Sequence, residues 1–399
     1  MKMSLTLLRI IFLPTLFYLF CSLAFGQNTL SLQKQDNKLI LNFQLDNAKK
    51  IVIDPIFNEV FIPEKSIMNS NDGKFKVTLH IKPITSEDFY DPLRLYSNGE
   101  FLLYSEYLFP YKIIYKNNTT TNKNHTEHNK YPLIKIKQDP KNYVLGKRYI
   151  FFGKPEKIKI IGLPENAPLQ NKLHSLAKDI FSYYAKKFGH LSKKEPIMII
   201  DFTHNNQNRG NFYYKGDAIE NFLSYNVNNV LTLSQQSYFQ LYQFIAHEIF
   251  HLWNAYEHEH KQTHWLHEGS ADYFAFQLLS DLGYIKKDKL EKIKSAYLTR
   301  CRRFYLDKQH KNEIMNNSNN DSSIYFCGTA LHIILEKLAS PQAVENIWKA
   351  IFKKPSYHNN DFWKLIKNSP NISPRTKQII YAFIYKKGGV IRTINTLKK

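Results

Sequence analysis

From Leu30 to about Gly162, apolar residues alternate with polar ones or run in short blocks. Lys38–Phe43, Lys76–Ile81 and Lys157–Ile161 show this pattern, and turn-forming Asn, Asp, Pro and Gly separate them. A period of two bounded by such residues predicts strands. After Pro164 the period lengthens. Leu173, Leu176, Ile180, Tyr183 and Tyr184 fall three or four apart within Leu169–Phe188, and Gly189 is a helix stop. Pro196–Phe202 reads as a short strand. Gln235–Tyr256 and Trp265–Leu282 read as long helices, followed by Asp288–Tyr305, Tyr325–Leu338, Pro341–Phe352 and Pro374–Tyr385. The expected class is α+β: a β domain over 27–163, a mainly helical domain over 164–340 and a short helical C-terminal tail over 341–399. No internal repeat is present.

Composition narrows the class. Hydrophobic residues make up 43% of the 399 and aromatics 15%, enough for a sizeable core and too much for a disordered or collagen-like chain. Residues 117–130 carry no apolar side chain and read as a flexible insert, with His125 and His128 as solvated loop residues. Residues 1–26 read as an export signal. Lys2 and Arg9 precede the charge-free run Ile10–Phe25, and Ala24-Phe25-Gly26 supplies small residues for cleavage before Gln27. The protein is then expected in the periplasm or outside the cell. An uncleaved membrane anchor is the alternative, though Pro14 and Gln27-Asn28 make the run short for a span. Cys21 follows bulky Phe20, which argues against a lipid-modified cysteine.

The formal charge is +21; loss of residues 1–26 removes Lys2 and Arg9 and no acid, leaving +19. In an exported protein this favours an anionic envelope surface over nucleic acid as a partner. Three cysteines are too few for a disulfide scaffold, and the pairing of Cys301 with Cys327 stays open.

The chemistry concentrates in one pentapeptide, His247-Glu248-Ile249-Phe250-His251. On a helix, residues i and i+4 share a face, so both imidazoles can reach one Zn²⁺ at about 2.0–2.1 Å. Glu248 is rotated about 100° from His247, where it can take a proton from water without ligating the metal. The motif lies among Phe244, Ile245, Ile249, Phe250, Leu252 and Trp253, which carry the helical period. A catalytic zinc needs a third protein ligand and an open position. The pattern with Gly and His three and six residues after the second His fails, because Asn254 and Glu257 stand there. Glu268, opening the next helix, is the better donor. Asp272, at i+4 from Glu268, is placed to accept the second ring N–H of His247 and fix its tautomer. His258, His260, His264 and His267 crowd the intervening segment and read as solvent-facing.

With these residues in view, His247–Asn254 and Trp265-Leu266-His267-Glu268-Gly269 resemble the zinc helix and third-ligand segment of gluzincin metallopeptidases. The similarity is to the M1-type aminopeptidase group and its glycyl-aminopeptidase relatives. The resemblance implies a thermolysin-like catalytic domain holding one Zn²⁺ on His247, His251 and Glu268, with Glu248 as general base. Asp217-Ala218-Ile219-Glu220-Asn221 resembles the group's exopeptidase motif, with Asp217 where the group has Gly, and assigns to Glu220 the substrate's α-amino group. Tyr325-Phe326-Cys327-Gly328 resembles the segment whose tyrosine stabilises the oxyanion, with Cys327 in place of Lys. Between His251 and Glu268 lie 252–267, two residues fewer than the group's usual spacing. The implied activity is removal of N-terminal residues from a peptide or protein substrate. The alternatives are an endopeptidase of the same clan and a non-catalytic cationic envelope-binding protein on this scaffold.

Overall fold

In the strand Lys74–Ile81, Phe75, Val77, Leu79 and Ile81 are buried while Lys74, Lys76, Thr78 and His80 are exposed or half-buried, the period of two that a sheet with one wet face requires. The same alternation recurs through the first of two compact units, Met1–Pro155; the second is Glu156–Lys399. In this computed structural model the described residues are 28–36, 38–53, 61–81, 93–104, 111–115, 120–121, 135–137, 139, 143–146, 148–164, 167–191, 195–203, 213–228, 235–254, 263–307, 323–354, 357–386 and 388–397. The expected export signal, His125, His128, His258 and His260 lie outside them.

The first unit is built from β1 (Thr29–Gln35), β2 (Lys38–Gln44), β3 (Ala48–Ile53), β4 (Phe61–Pro63), β5 (Ile67–Asn69), β6 (Lys74–Ile81), β7 (Leu93–Leu95), β8 (Phe101–Tyr104), β9 (Tyr111–Tyr115), β10 (Thr120–Thr121), β11 (Lys135–Ile136), β12 (Val144–Leu145) and β13 (Tyr149–Phe152). They form three sheets, in the orders β11-β1-β2-β6-β4, β10-β9-β3-β5 and β12-β13-β8-β7. The register sets Leu39, Leu41 and Phe43 opposite Leu79, Val77 and Phe75, so cross-strand apolar pairs line one face. Their core also takes in Ile51, Ile113 and Ile150. Thr120–Thr121, inside the stretch read as a flexible insert, pairs as a strand with Ile113–Ile114. Backbone pairing needs no apolar side chain, so composition did not reveal it.

The second unit opens with β14 (Ile158–Ile161), α1 (Pro168–Phe188) and β15 (Ile197–Thr203). β14 and β15 are parallel, and a parallel pair needs a crossover, which α1 supplies. β14 therefore belongs to this sheet, and the units divide eight residues ahead of the expected boundary at 163/164. Next come β16 (Tyr213–Ile219) and β17 (Phe222–Asn228), a hairpin whose second strand inserts beside β15 and leaves β16 at the sheet edge. Helices complete the unit: α2 (Gln235–Asn254), α3 (His264–Asp281), α4 (Lys287–Asp307), α5 (Ser323–Leu338), α6 (Pro341–Ile351), α7 (Asn359–Asn368), α8 (Pro374–Tyr385) and α9 (Gly389–Thr396).

Helix α3 is buried on nearly every side, as a central helix of a layered core must be. Phe250, between the two histidines in sequence, faces away from them into that core. It stacks on Phe274 of α3 at 4.9 Å and meets Phe188 of α1 edge-on at 5.6 Å. Burial of such a ring stabilises by about 2–3 kcal/mol. The helices from Pro341 onward bury Trp348, Phe362, Ile380, Phe383 and Ile394 in the same core. A disulfide joins Cys301 of α4 to Cys327 of α5, with Cα atoms 4.9 Å apart.

Candidate active site

The apolar stripe of α2 points into the core, which leaves the adjoining polar stripe against α3. His247, His251 and Glu268 converge there, all buried. His247 Nε2 lies 3.0 Å from Glu268 Oε2 and 3.1 Å from His251 Nε2, and His251 Nε2 lies 3.5 Å from the same oxygen. A tetrahedral zinc with bonds near 2.1 Å separates its ligand atoms by about 3.3–3.5 Å, so the triangle has the size of one tetrahedral face.

Proton assignments show that a cation fits this triangle. His247 Nδ1 lies 2.9 Å from Asp272 Oδ1, an obligate acceptor, so the ring proton sits on Nδ1. Asp272 is itself held by Gln243 Nε2, which donates to Oδ1 at 2.8 Å, and by Tyr297 Oη, which donates to Oδ2 at 3.1 Å. The His251 Nδ1 proton meets Asn254 Oδ1 at 3.0 Å. The orientation of that amide is set by its nitrogen, which donates to the His267 carbonyl at 3.0 Å and to Ser270 Oγ at 3.1 Å. With the second ring proton absent, both Nε2 atoms present lone pairs toward one carboxylate oxygen. A divalent cation satisfies that arrangement.

Electrostatics agree. Burial works against charge on Glu268, but His251 and His247 outweigh it and hold the carboxyl well below the usual range. Burial also opposes charge on His247, yet Asp272 and Glu268 prevail and hold its pKa well above that of free imidazole. A metal ion entering this cage would displace that proton, so binding would release it. Burial raises the pKa of Glu248, the facing histidines oppose the rise, and Glu268 and Asp217 reinforce it. A carboxylate so poised is suited to receiving and returning a proton.

Two glycine contacts set the distances between elements. A Cβ on Gly216 of β16 would lie 2.4 Å from Phe244 Cζ and 3.1 Å from Glu248 Cγ, so the edge strand crosses α2 directly over Phe244 and Glu248. A Cβ on Gly328 would lie 1.9 Å from the Trp265 carbonyl oxygen and 2.9 Å from Gly269 Cα. Helices α3 and α5 therefore touch backbone to backbone beside Glu268. Thr329 Oγ1, 2.8 Å from the Tyr325 carbonyl and 3.3 Å from that of Gly269, sits across the same contact.

This close approach brings Tyr325 to the site. Its ring centroid lies 6.1 Å from that of His247, and the residue is 42% exposed while His247, His251 and Glu268 are buried. Glu220 occupies the two-residue turn of the β16–β17 hairpin, half-buried, four residues past Gly216. Its φ of +56° is one that non-glycine residues seldom take, and such outliers cluster at functional sites.

Sequence reasoning missed four supports: Asn254, Gln243, Tyr297 and His267. Read as solvent-facing, His267 is instead buried and stacks on His251 at 4.3 Å and 14°. Burial keeps its pKa well below that of free imidazole, so the ring lies neutral against His251. Of these four, Asn254 and His267 had a signal, since both lie in the segments that carry the family resemblance, whereas Gln243 and Tyr297 had none.

No protein-family model matches the chain, and no curated protein matches it in sequence. Among solved structures, the M1 zinc metallopeptidase from Deinococcus radiodurans is similar at 10% identity, covering 91% of this chain and 93% of that one, with a TM-score of 0.44. A substituted form of the D. radiodurans enzyme bound to a Tyr-Ser-Ala substrate aligns at 9% identity, covering 91% and 94%, with a TM-score of 0.45. Aminopeptidase A from Legionella pneumophila, in complex with aspartic acid, aligns at 10% identity and a TM-score of 0.46 over 90% of this chain and 49% of that one.

Proposed function

We propose that the chain is a zinc-dependent peptidase that removes residues from the N-termini of peptides. One observation carries this reading: two imidazole nitrogens and a buried carboxylate converge on one point, with a second buried carboxylate, Glu248, within electrostatic reach of all three. His247, His251 and Glu268 would hold one Zn²⁺, which when bound polarises a carbonyl and acidifies water. Glu248 takes a proton from water at its carboxylate and returns it to the leaving amine; its raised pKa suits both halves of that cycle. Asp272 and Asn254 keep the ring protons on Nδ1, so Nε2 stays free to ligate. The Tyr325 phenol donates to the developing oxyanion. Glu220 pairs with a free α-ammonium group, which selects an unblocked terminus.

Export also forms part of the proposal. The Lys2/Arg9 and Ile10–Phe25 pattern supports it, and so does the Cys301–Cys327 bond, which suits an oxidising compartment. N-terminal sequencing of secreted material should begin at Gln27.

The decisive experiment pairs metal analysis of the purified protein with hydrolysis of free and N-acetylated aminoacyl reporters. About one zinc per chain and cleavage of the free reporter alone are expected. Glu248→Gln should keep the zinc and lose at least 100-fold in kcat. Cleavage of the blocked reporter at an equal rate would remove Glu220 from its role and leave an endopeptidase; absence of zinc would remove the hydrolase reading altogether.

A further inference from the structure

The positive charge is not evenly spread. From Lys353 to Lys399 the sequence has nine Lys and two Arg against a single acid, Asp361, so these 47 residues carry +10 of the net +21. Asp361 is itself engaged by Lys354 at 2.7 Å.

Within this stretch three aromatic rings meet at the surface. Trp363 of α7 lies 5.2 Å from Tyr381 and 6.3 Å from Tyr385 of α8, and the two tyrosines are 5.0 Å apart. Tyr381 is 38% exposed. Asn360, Trp363, Lys364 and Lys367 are spaced three, four and seven apart on α7, hence on one face; Lys377, Tyr381 and Tyr385 form the matching stripe of α8. Lys386 Nζ stands 5.7 Å over the Tyr381 ring, and Tyr385 Oη donates to Asn360 Oδ1 at 3.3 Å. Lys364, Lys367 and Lys386 are exposed.

Amphipathic rings with polar tips, flanked by lysines whose stems cover apolar surface, suit the headgroup layer of a bilayer. The cations match the negative potential of acidic lipids. The rings touch one another at separations of direct aromatic contact, so no base or sugar ring is held between them. Among the described residues no helix is long and apolar enough to cross a membrane.

We propose that the α7–α8 face, with Trp363, Tyr381 and Tyr385 ringed by Lys364, Lys367, Lys377 and Lys386, docks the protein on a bilayer surface rich in anionic phospholipid. The docking is independent of the peptidase reading. Trp253, Trp265 and Trp348 are at most 8% exposed, so tryptophan quenching by a lipid reports on Trp363.

The test uses the chain from Gln27, which keeps every described residue. Co-sedimentation is measured with vesicles of phosphatidylcholine alone and with about one-third phosphatidylglycerol, at low and high salt. Binding to the anionic vesicles only, weakened by salt, is expected. Lys364→Glu/Lys367→Glu/Lys386→Glu should bind at least tenfold more weakly. Lys65→Glu/Lys76→Glu/Lys154→Glu, the same charge change on exposed lysines of the first unit, should bind within about twofold of the parent. Brominated phosphatidylglycerol should quench emission in the parent and not in Trp363→Phe, a readout that stands even if the triple variant fails to fold. The proposal is overturned by equal losses in the two triples, by equal quenching in Trp363→Phe, by absent vesicle binding, or by tighter binding to single-stranded RNA than to the vesicles.

Discussion

The disulfide offers the sharpest stability test. Cys301 and Cys327 lie 26 residues apart, and the bond ties α4 to α5. Closing a loop of that length lowers the entropy of the unfolded chain by an amount worth about 3.5 kcal/mol at 25 °C. For a unit of the size of Glu156–Lys399, each kcal/mol shifts Tm by roughly 2–4 °C, so Cys301→Ala/Cys327→Ala should melt roughly 7–14 °C lower. The assay is a thermal scan by circular dichroism on the chain from Gln27, with and without the pair. Both cysteines are essentially fully buried, so a reductant must wait for the domain to open. Thiol titration under native conditions in reductant should therefore find almost no free thiol, and in urea both. The proposed metal ligands sit on α2 and α3, which the bond does not join, so the double variant should keep any zinc the parent holds at 25 °C. A Tm within about 2 °C of the parent would refute the loop-entropy argument; loss of zinc would show that α4 and α5 help to hold the triad.

Three further outcomes follow from the geometry. Gly328→Ala places a methyl 1.9 Å from the Trp265 carbonyl, and neither backbone can yield, so a loss of about 3 kcal/mol or more in urea unfolding is expected together with weakened metal binding. Asp272→Asn removes the charge that fixes the His247 tautomer and should lower zinc affinity by about 10–100-fold in competition with a chromophoric chelator; an unchanged affinity would make Asp272 a bystander. His332 accepts from Trp348 Nε1 at 3.0 Å and donates from Nδ1 to the Gly328 carbonyl at 2.8 Å, and burial pushes its pKa down to about 4. Between about pH 6.5 and 4 the unfolded chain holds a proton there that the fold does not, so stability falls on acidification by about 1.4 kcal/mol per pH unit from this residue. His332→Gln should flatten the pH dependence of urea midpoints by that amount relative to the parent; parallel curves would contradict the assignment.

What the sequence disclosed and what it hid divide along one physical line. The candidate zinc helix was legible because the placing of His247 and His251 on one face is a matter of helical pitch, and Glu268 and Asp272 share a face for the same reason. The strand Ile158–Ile161 was legible as a strand, but alternation carries no information about which sheet a strand joins. Its parallel pairing with Ile197–Thr203 depends on the return of α1, which brings together residues some forty positions apart. Asp272 shows the limit at the site itself: its spacing from Glu268 announced its face, while its other partners, Gln243 and Tyr297, come from different helices and carry no motif.

Glycine makes the division plainest. Gly269 and Gly328 lie within the matched segments, yet nothing in those segments says that they touch; their role is to let α3 and α5 approach until Tyr325 stands beside His247. Gly216 gave no sign of what it faces, although a side chain there would strike the Phe244 ring and press on Glu248. The groups that would do chemistry are thus encoded over a few residues each. The tolerances that would let them act together come from contacts between segments far apart in the chain, and those contacts are made by residues whose chemistry is silent. A change at Gly216, Gly269 or Gly328 alters no reactive group, and for that reason each tests the geometry of the proposed site more severely than removal of a ligand would.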